Sequence, residues 1–217
     1  HRIGSKFLDA GPGFGGSCFK KDILNLVYLA NYFGLPEVAD FWESVVFLNK
    51  WHQNRISKLI IQKLFGTLAD KRITILGFAF KANTNDTRES SAIEICKDLL
   101  AENAQLIIHD PKVEKIQIDK DLGLEQTNSK NIIPEINNNS EGGFWSKAKD
   151  IYSALENSDA VVILTEWDEY ANIDWIRASK LMRKPAWVFD ARSIVNPKSI
   201  ESTNINFWRI GDGSKKS

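Results

Sequence analysis

The stretch from residue 71 to residue 110 most constrains the fold. RITILGF is a short apolar run, SSAIEICKDLLAEN repeats its apolar positions at helical spacing, and QLIIHD is a second apolar run. Strands that are apolar along their whole length are buried on both faces, and two of them joined by a helix pair in parallel. The alternation continues downstream. KAKDIYSALENS reads as helix and AVVILTE as strand, WIRASKLM as helix and AWVFDAR as strand, with a last short strand near INFWRIG. The second half of the chain therefore predicts a doubly wound α/β domain with a parallel sheet. Residues 111 to 146 are polar and Asn-rich and read as a region containing a long surface loop. The tail GDGSKKS reads as disordered.

The first 66 residues have another texture, a glycine loop followed by helices. Ile23, Leu26, Val27 and Ala30 share one helical face, Gly34 is the expected stop and Pro36 fits the first turn of a new helix. Val38, Phe41, Trp42, Val45, Leu48, Ile56, Leu59, Ile60 and Leu64 extend an apolar stripe to about Phe65. At about 1.5 Å per residue such a helix is a rod of about 45 Å, suited to a strut between domains or to a subunit interface. The expected division is residues 1–66 and 67–217.

Composition bounds the function. The 217 residues are 43% apolar and 26% charged, enough for a real core. Lys and Arg together number 28, as do Asp and Glu, so no net charge points to nucleic acid or an anionic membrane. No apolar run approaches the roughly 18 residues of a membrane span. Two distant cysteines, Cys18 and Cys96, make no disulfide framework and fit a reducing, cytoplasmic setting. His1, His52 and His109 lack metal-ligand spacing, so no metal is expected, and His52 reads as an interface or surface residue.

The chemistry concentrates in three places. In GPGFGGSCFKKD, residues 11–22, the glycines expose backbone N–H groups, and Cys18 falls where a helix begins. A thiol there sits at the positive end of the helix dipole, with Lys20 and Lys21 nearby and Asp22 one turn on. Nucleophile, anion-friendly backbone and carboxylate are the parts of a covalent catalyst; the competing reading is a buried structural cysteine beside a turn. Cys96, in SSAIEICKDLL, reads as core. The second place is FAFKANTNDTRESSA, residues 78–92, at the end of the first strand. Lys81 and Arg88 there could hold phosphates, and Asp86, Thr87 or Ser90 could cap the next helix. The third is FDARSI, residues 189–194, whose Arg192 projects toward the same crevice. An ordinary capped loop with solvated charges remains the alternative for these cations. No G-x-G-x-x-G follows any strand, so the sheet lacks the dinucleotide fingerprint.

Taken in order, GFGGSCFKKD, GFAFKANTNDTRESS, HDPKV, TEWDEY and FDAR resemble the UDP-glucose 6-dehydrogenases of the UDP-glucose/GDP-mannose dehydrogenase family, from RIGSKFL at residue 2 to about residue 210. The resemblance implies NAD-dependent oxidation of the C6 alcohol of UDP-glucose to a carboxylate. Cys18 would form a thiohemiacetal and then a thioester, and Asp22 would assist the hydrolytic water. It places Phe7 and Leu8 along the uridine diphosphate site. Gly11, Phe14 and Gly15 fall in the loop that closes over the sugar, and Phe80, Lys81 and Arg192 at substrate-binding positions. Lys21 and Arg88 come out on the NAD side, and Arg2 in the neighbouring subunit's substrate site. Residues 1–66 would be the end of the central dimerisation domain, with a homodimer or higher oligomer through the long helix, and residues 67–217 the Rossmann-like UDP-sugar domain. The family's G-x-G-x-x-G domain is not in the given chain. Nor are a glutamate from that domain and a lysine and an asparagine from early in the central helices. The chain is therefore expected not to turn over alone. Another nucleotide-sugar dehydrogenase, acting on GDP-mannose or UDP-N-acetylmannosamine, and a non-catalytic UDP-sugar-binding module remain as alternatives. The Asn-rich loop 137–143 reads as a variable addition.

Overall fold

A computed structural model of the chain describes residues 8–124 and 143–212. Arg2, Phe7, residues 213–217 of the tail and residues 137–142 of the Asn-rich loop lie outside these, while Gly211 and Asp212 of the tail are described. The chain opens with the glycine loop and a helical hairpin, α1 (Phe19–Tyr32) and α2 (Pro36–Lys63). Gly34, at φ 70°, turns the chain between them, with the Leu35 N–H returning to the Ala30 carbonyl at 2.9 Å. Pro36 occupies the first turn of α2, where its missing N–H costs nothing. The 28 residues of α2 span about 42 Å.

The apolar stripe of this hairpin divides in two. Ile56, Ile60 and Leu64 are buried, but Val38, Phe41 and Leu48 are exposed, and so is Leu26 on α1. Of the four residues expected on one face of α1, Ile23 and Ala30 are buried and Leu26 is exposed. In the first half of the hairpin α1 and α2 bury Ile23, Ala30 and Ala39, and among the described residues nothing covers its outer apolar side chains, while the last turns of α2 enter the core of the sheet domain.

Six parallel strands follow: β1 (Arg72–Leu76), β2 (Gln105–His109), β3 (Phe144–Lys147), β4 (Ala160–Ile163), β5 (Ala186–Asp190) and β6 (Ile205–Arg209). Their order across the sheet is β3-β2-β1-β4-β5-β6. Alternate residues of each strand feed opposite faces. Ile73 and Ile75 join α2, α3 (Ser91–Ala101) and α4 (Lys115–Leu122) on one side. Leu76, Val161 and Val188 join α5 (Ile151–Leu155), α7 (Trp175–Leu181) and α8 (Lys198–Glu201) on the other, together with Tyr170 of α6 (Asp168–Ala171). The fold is α/β and doubly wound.

The region 111–146 also holds α4 and most of β3; the long surface loop expected in it falls on residues outside those described. Strand β3 is an edge strand whose FWSK is nowhere fully buried, so it carries no apolar run to reveal it. In KAKDIYSALENS only Ile151–Leu155 are helical, because a capping box at Asp150 starts the helix there.

The sheet order reverses between β1 and β4, and the loops leaving the C-terminal ends of β1, β4 and β5 converge on that crevice. In open α/β sheets this is where ligands bind.

Candidate functional site

Each of the three loops is fixed before it offers anything to a ligand. Asp110, just past β2 and 3% exposed, accepts the Phe78 and Ala79 N–H groups at 2.8 and 3.0 Å through one oxygen. The other takes those of Lys112 and Val113 at 2.9 and 3.0 Å. A dinucleotide-binding turn would point its first amides at a pyrophosphate; here a side-chain carboxylate consumes them. This is the physical counterpart of the missing G-x-G-x-x-G. Helix α3 starts well after β1 and is capped by Ser90, whose Oγ accepts the Ala92 N–H. Of the three capping candidates, Ser90 takes the position.

Asp86 instead grips Arg88, with Arg88 Nε and Nη2 donating to its two oxygens at 2.9 and 2.7 Å. The hydrogen bond to Arg88 holds the Asp86 carboxyl below its usual range. Reciprocally, the Arg88 guanidinium is raised, first by its hydrogen bond to Asp86, with a smaller attraction from the nearby Cys18 sulfur. Arg88 thus lies within electrostatic reach of the thiol.

Arg192 is half-buried and fully engaged. Its Nε donates to the Leu164 carbonyl at 2.7 Å, one Nη to the Phe80 carbonyl at 3.0 Å, and the other pairs with Glu166 at 3.3 Å. Burial lowers its pKa, and Glu166 opposes that shift. Sequence reasoning assigned Glu166 no role. It lies in TEWDEY, and its other oxygen accepts the Ala82 N–H at 3.2 Å. Lys81 is exposed, its Nζ 5.4 Å from the Phe80 ring centre.

The glycine loop packs onto this crevice. The Gly16 N–H donates to the Arg88 carbonyl at 2.8 Å. A Cβ on Gly15 would collide with the Glu89 carbonyl, and one on Gly16 would sit 3.0 Å from the Phe80 ring. Gly11 lies against Arg192, with 3.4 Å between an ideal Cβ and the guanidinium. Lys20 pairs with Glu89 at 2.8 Å. Phe80 is therefore the common neighbour of the glycine loop, Lys81 and Arg192, so three regions far apart in sequence form one site. Gly15→Ala must push the loop off the backbone at Glu89. It is expected to weaken UDP-sugar binding by roughly 10-fold or more, since a loop displaced by about 1 Å loses its close contacts; unchanged affinity by calorimetry would show that the loop closes elsewhere.

Cys18 sits at the N-cap of α1, exposed, with Ser17 Oγ 3.7 Å from its sulfur. Asp22 and Lys21 are exposed on the first turn, and the Asp22 N–H bonds the Cys18 carbonyl at 2.8 Å. Phe14 stacks edge-on against Phe19, and Leu8 is exposed. Cys96 is fully buried on α3, and burial pushes its thiol far up, out of reach of neutral-pH chemistry. His52 departs from its expected role as an interface or surface residue. It faces inward from α2, with Nε2 3.0 Å from the Gly11 carbonyl. Asn49, one turn earlier, binds both backbone groups of Phe14. Sequence reasoning missed Asn49 because one polar residue among the many on α2 reads as solvent-facing.

Two matches decide the kinship. The UDP binding domain of the UDP-glucose/GDP-mannose dehydrogenase family matches residues 74–197, and the central domain of the same family matches residues 1–51. The chain belongs to this family. UDP-glucose 6-dehydrogenase of Drosophila melanogaster is 47% identical over 97% of the chain, and UDP-glucose 6-dehydrogenase 4 of Arabidopsis thaliana is 42% identical over 97%. The chain spans only 43% and 44% of these curated relatives' lengths. A solved structure of a UDP-glucose dehydrogenase from Pyrobaculum islandicum superposes with a TM-score of 0.70 at 26% identity, over 95% of the chain and 40% of that protein. Among the described residues no His, Cys, Asp and Glu side chains cluster as a metal site, and no helix is long and apolar enough to cross a membrane.

Proposed function

We propose that this family member is the thiol-bearing and UDP-sugar-binding part of an NAD-dependent UDP-glucose 6-dehydrogenase. The observation that carries the reading is the meeting, around Phe80, of the glycine loop before Cys18 with Lys81 and Arg192. Phosphates of a UDP-sugar would be met by Lys81, by amides of the glycine loop, and by Arg192 as it exchanges Glu166 for an oxyanion. Leu8, Gly11, Phe14 and Gly15 would line the remaining sugar-nucleotide contacts, with Phe7 before them and Arg2 reaching a neighbouring subunit's site.

Cys18 would then act on the C6 aldehyde. Its sulfur adds to C6 as a thiohemiacetal, and oxidation at C6 leaves a thioester on Cys18. Water, helped by Asp22, adds to that thioester; the C–S bond breaks, the thiolate leaves, and the product carries a carboxylate. NAD would supply the oxidising power, one molecule for each of the two hydrides lost from C6, as alcohol goes to aldehyde and thiohemiacetal to thioester. The sheet does not fit NAD, because Asp110 occupies the amides that a pyrophosphate would use. The cofactor would be held by the rest of the longer protein, with Lys21 and Arg88 approaching it from this side. The chain alone would then not turn over, and sustained NAD reduction by it would overturn that part of the reading.

Residues 1–66 are read as the end of the central domain and 67–217 as the UDP-sugar domain, whose core reaches back along α2 to Ile56. The exposed rings of Tyr28, Tyr32, Phe33, Phe41, Phe47 and Trp51 on the α1–α2 hairpin favour a second copy of the chain as their cover. A cytoplasmic setting suits the two free thiols.

Calorimetric titration with UDP-glucose, GDP-mannose and UDP-N-acetylmannosamine tests the substrate. Selective UDP-glucose binding is expected. Preference for another sugar nucleotide would keep the chemistry and move the substrate. Failure of all three to bind both this chain and the full-length protein would remove the site.

A further inference from the structure

A loop as rich in glycine and proline as residues 11–16 gains nothing from its own sequence that would hold it in one shape. Yet Cys18 follows it directly, and a nucleophile displaced by about 1 Å can lose about 10²-fold in rate. Something must hold the loop; its end is tied by the Gly16 N–H to the Arg88 carbonyl, and the hydrogen bonds to residues 11 and 14 come from one face of α2. Asn49 and His52 are three residues apart and Gln53 one further, so the three lie side by side on the helix.

The Asn49 carboxamide makes two opposed bonds to a single residue. Its Oδ1 accepts the Phe14 N–H at 2.9 Å, and its Nδ2 donates to the Phe14 carbonyl at 3.1 Å. This is the bonding that a neighbouring β-strand would give, delivered by one side chain. His52 Nε2, as the N–H-bearing nitrogen, donates to the Gly11 carbonyl at 3.0 Å. Gly13 lies between the two contacts at φ 120°. A Cβ there would come within 2.6 Å of Asn49 Oδ1, so the helix can approach only because residue 13 is glycine. Gln53, 6% exposed, closes the other side, 3.4 Å from the same point.

From this geometry we propose that Asn49, supported by His52, is a positioning residue for Cys18, and that α2 sets the shape of the thiol loop through the Phe14 and Gly11 backbone. The proposal rests on the thiol chemistry inferred above only for its kinetic consequence; the clamp stands or falls by itself.

Two readouts separate these levels. Hydrogen exchange on this chain reads the clamp. Asn49→Ala is expected to speed exchange in residues 11–18 by about 10-fold or more, one bond's worth of protection, while β1 and β4 keep theirs. Asn49→Asp gives a sharper signature. A carboxylate still accepts the Phe14 N–H but repels the Phe14 carbonyl; once protonated it can also donate. Its loop protection, corrected for intrinsic exchange, should recover as pH falls from about 6 toward about 3, through the ordinary carboxylate range, whereas Asn49→Ala should show no recovery.

Kinetics of the full-length protein read the consequence. Asn49→Ala should lower kcat by on the order of 10²-fold, with a smaller rise in KM of about 10-fold from the loosened loop. Unchanged exchange in both variants would remove the clamp. Faster exchange with kcat intact would leave a clamp that does not position the thiol. If the full-length parent itself shows no Cys18-dependent oxidation, the functional reading fails, and the positioning role with it, while the exchange data still report the clamp.

Discussion

Replacing Cys18 by serine in the full-length protein is expected to cut NAD reduction at least about 10³-fold while leaving UDP-glucose affinity within about threefold. The sulfur lies at the lip of the site, exposed at the N-cap of α1, and makes no side-chain capping bond. Its removal therefore leaves the fold and the phosphate-binding cations in place. A serine hydroxyl at the same point is far less nucleophilic at neutral pH, and no other group can take over. Ser17 is an ordinary hydroxyl, and Cys96 is sealed in the core with its thiol pushed far up by burial. Alkylation makes the same contrast without turnover: Cys18 should react at least about 10²-fold faster than Cys96, and bound UDP-glucose should protect it. A Cys18→Ser protein that reduces NAD at near the parent rate would eliminate covalent catalysis and leave only the binding role.

The parts of this site differ in how visible they were beforehand. The parallel sheet was legible from RITIL, QLIIH, AVVI and AWVFD, because strands buried on both faces must be apolar at every position. The place of Cys18 at a helix start was legible from the glycine loop and the charged run after it. What could not be read was the partnership between loops. Arg192 projects to the crevice as expected, but its engagement by Glu166 and by the Leu164 and Phe80 carbonyls depends on three strand ends being adjacent. Linear spacing does not encode that. The edge strand β3 and the short helices α4, α6 and α8 were missed because elements of four to eight half-exposed residues carry too few apolar positions to show a period. Asn49 and His52 escaped because their partners are backbone groups of a loop 35 and 41 residues away.

The second large effect concerns the frame of the site. Asp110→Ala is expected to destabilise the sheet domain by about 4 kcal/mol or more. The carboxylate is almost fully buried, and besides the four amides of Phe78, Ala79, Lys112 and Val113 it faces Trp167 Nε1 at 3.4 Å. Hydrogen bonds to a charged acceptor contribute about 1.5–3 kcal/mol each, although in a shared network they do not add. Alanine leaves all these donors without the acceptor that gathers them. A domain of this size has only about 5–15 kcal/mol in total, so the urea midpoint should fall steeply with an unchanged slope. Asp110→Asn should cost about half as much, because one oxygen still accepts while the new NH₂ faces donors. The loss should also reach the site. The two amides on one Asp110 oxygen open the 78–90 loop, which carries Phe80 and Lys81 and against which Gly15 and Gly16 rest. Under conditions where Asp110→Asn remains folded, its UDP-sugar affinity should therefore drop although the side chain touches no ligand. An Asp110→Ala unfolding free energy within about 1 kcal/mol of the parent would mean that the loop finds other acceptors, and that the carboxylate is not what holds the crevice open.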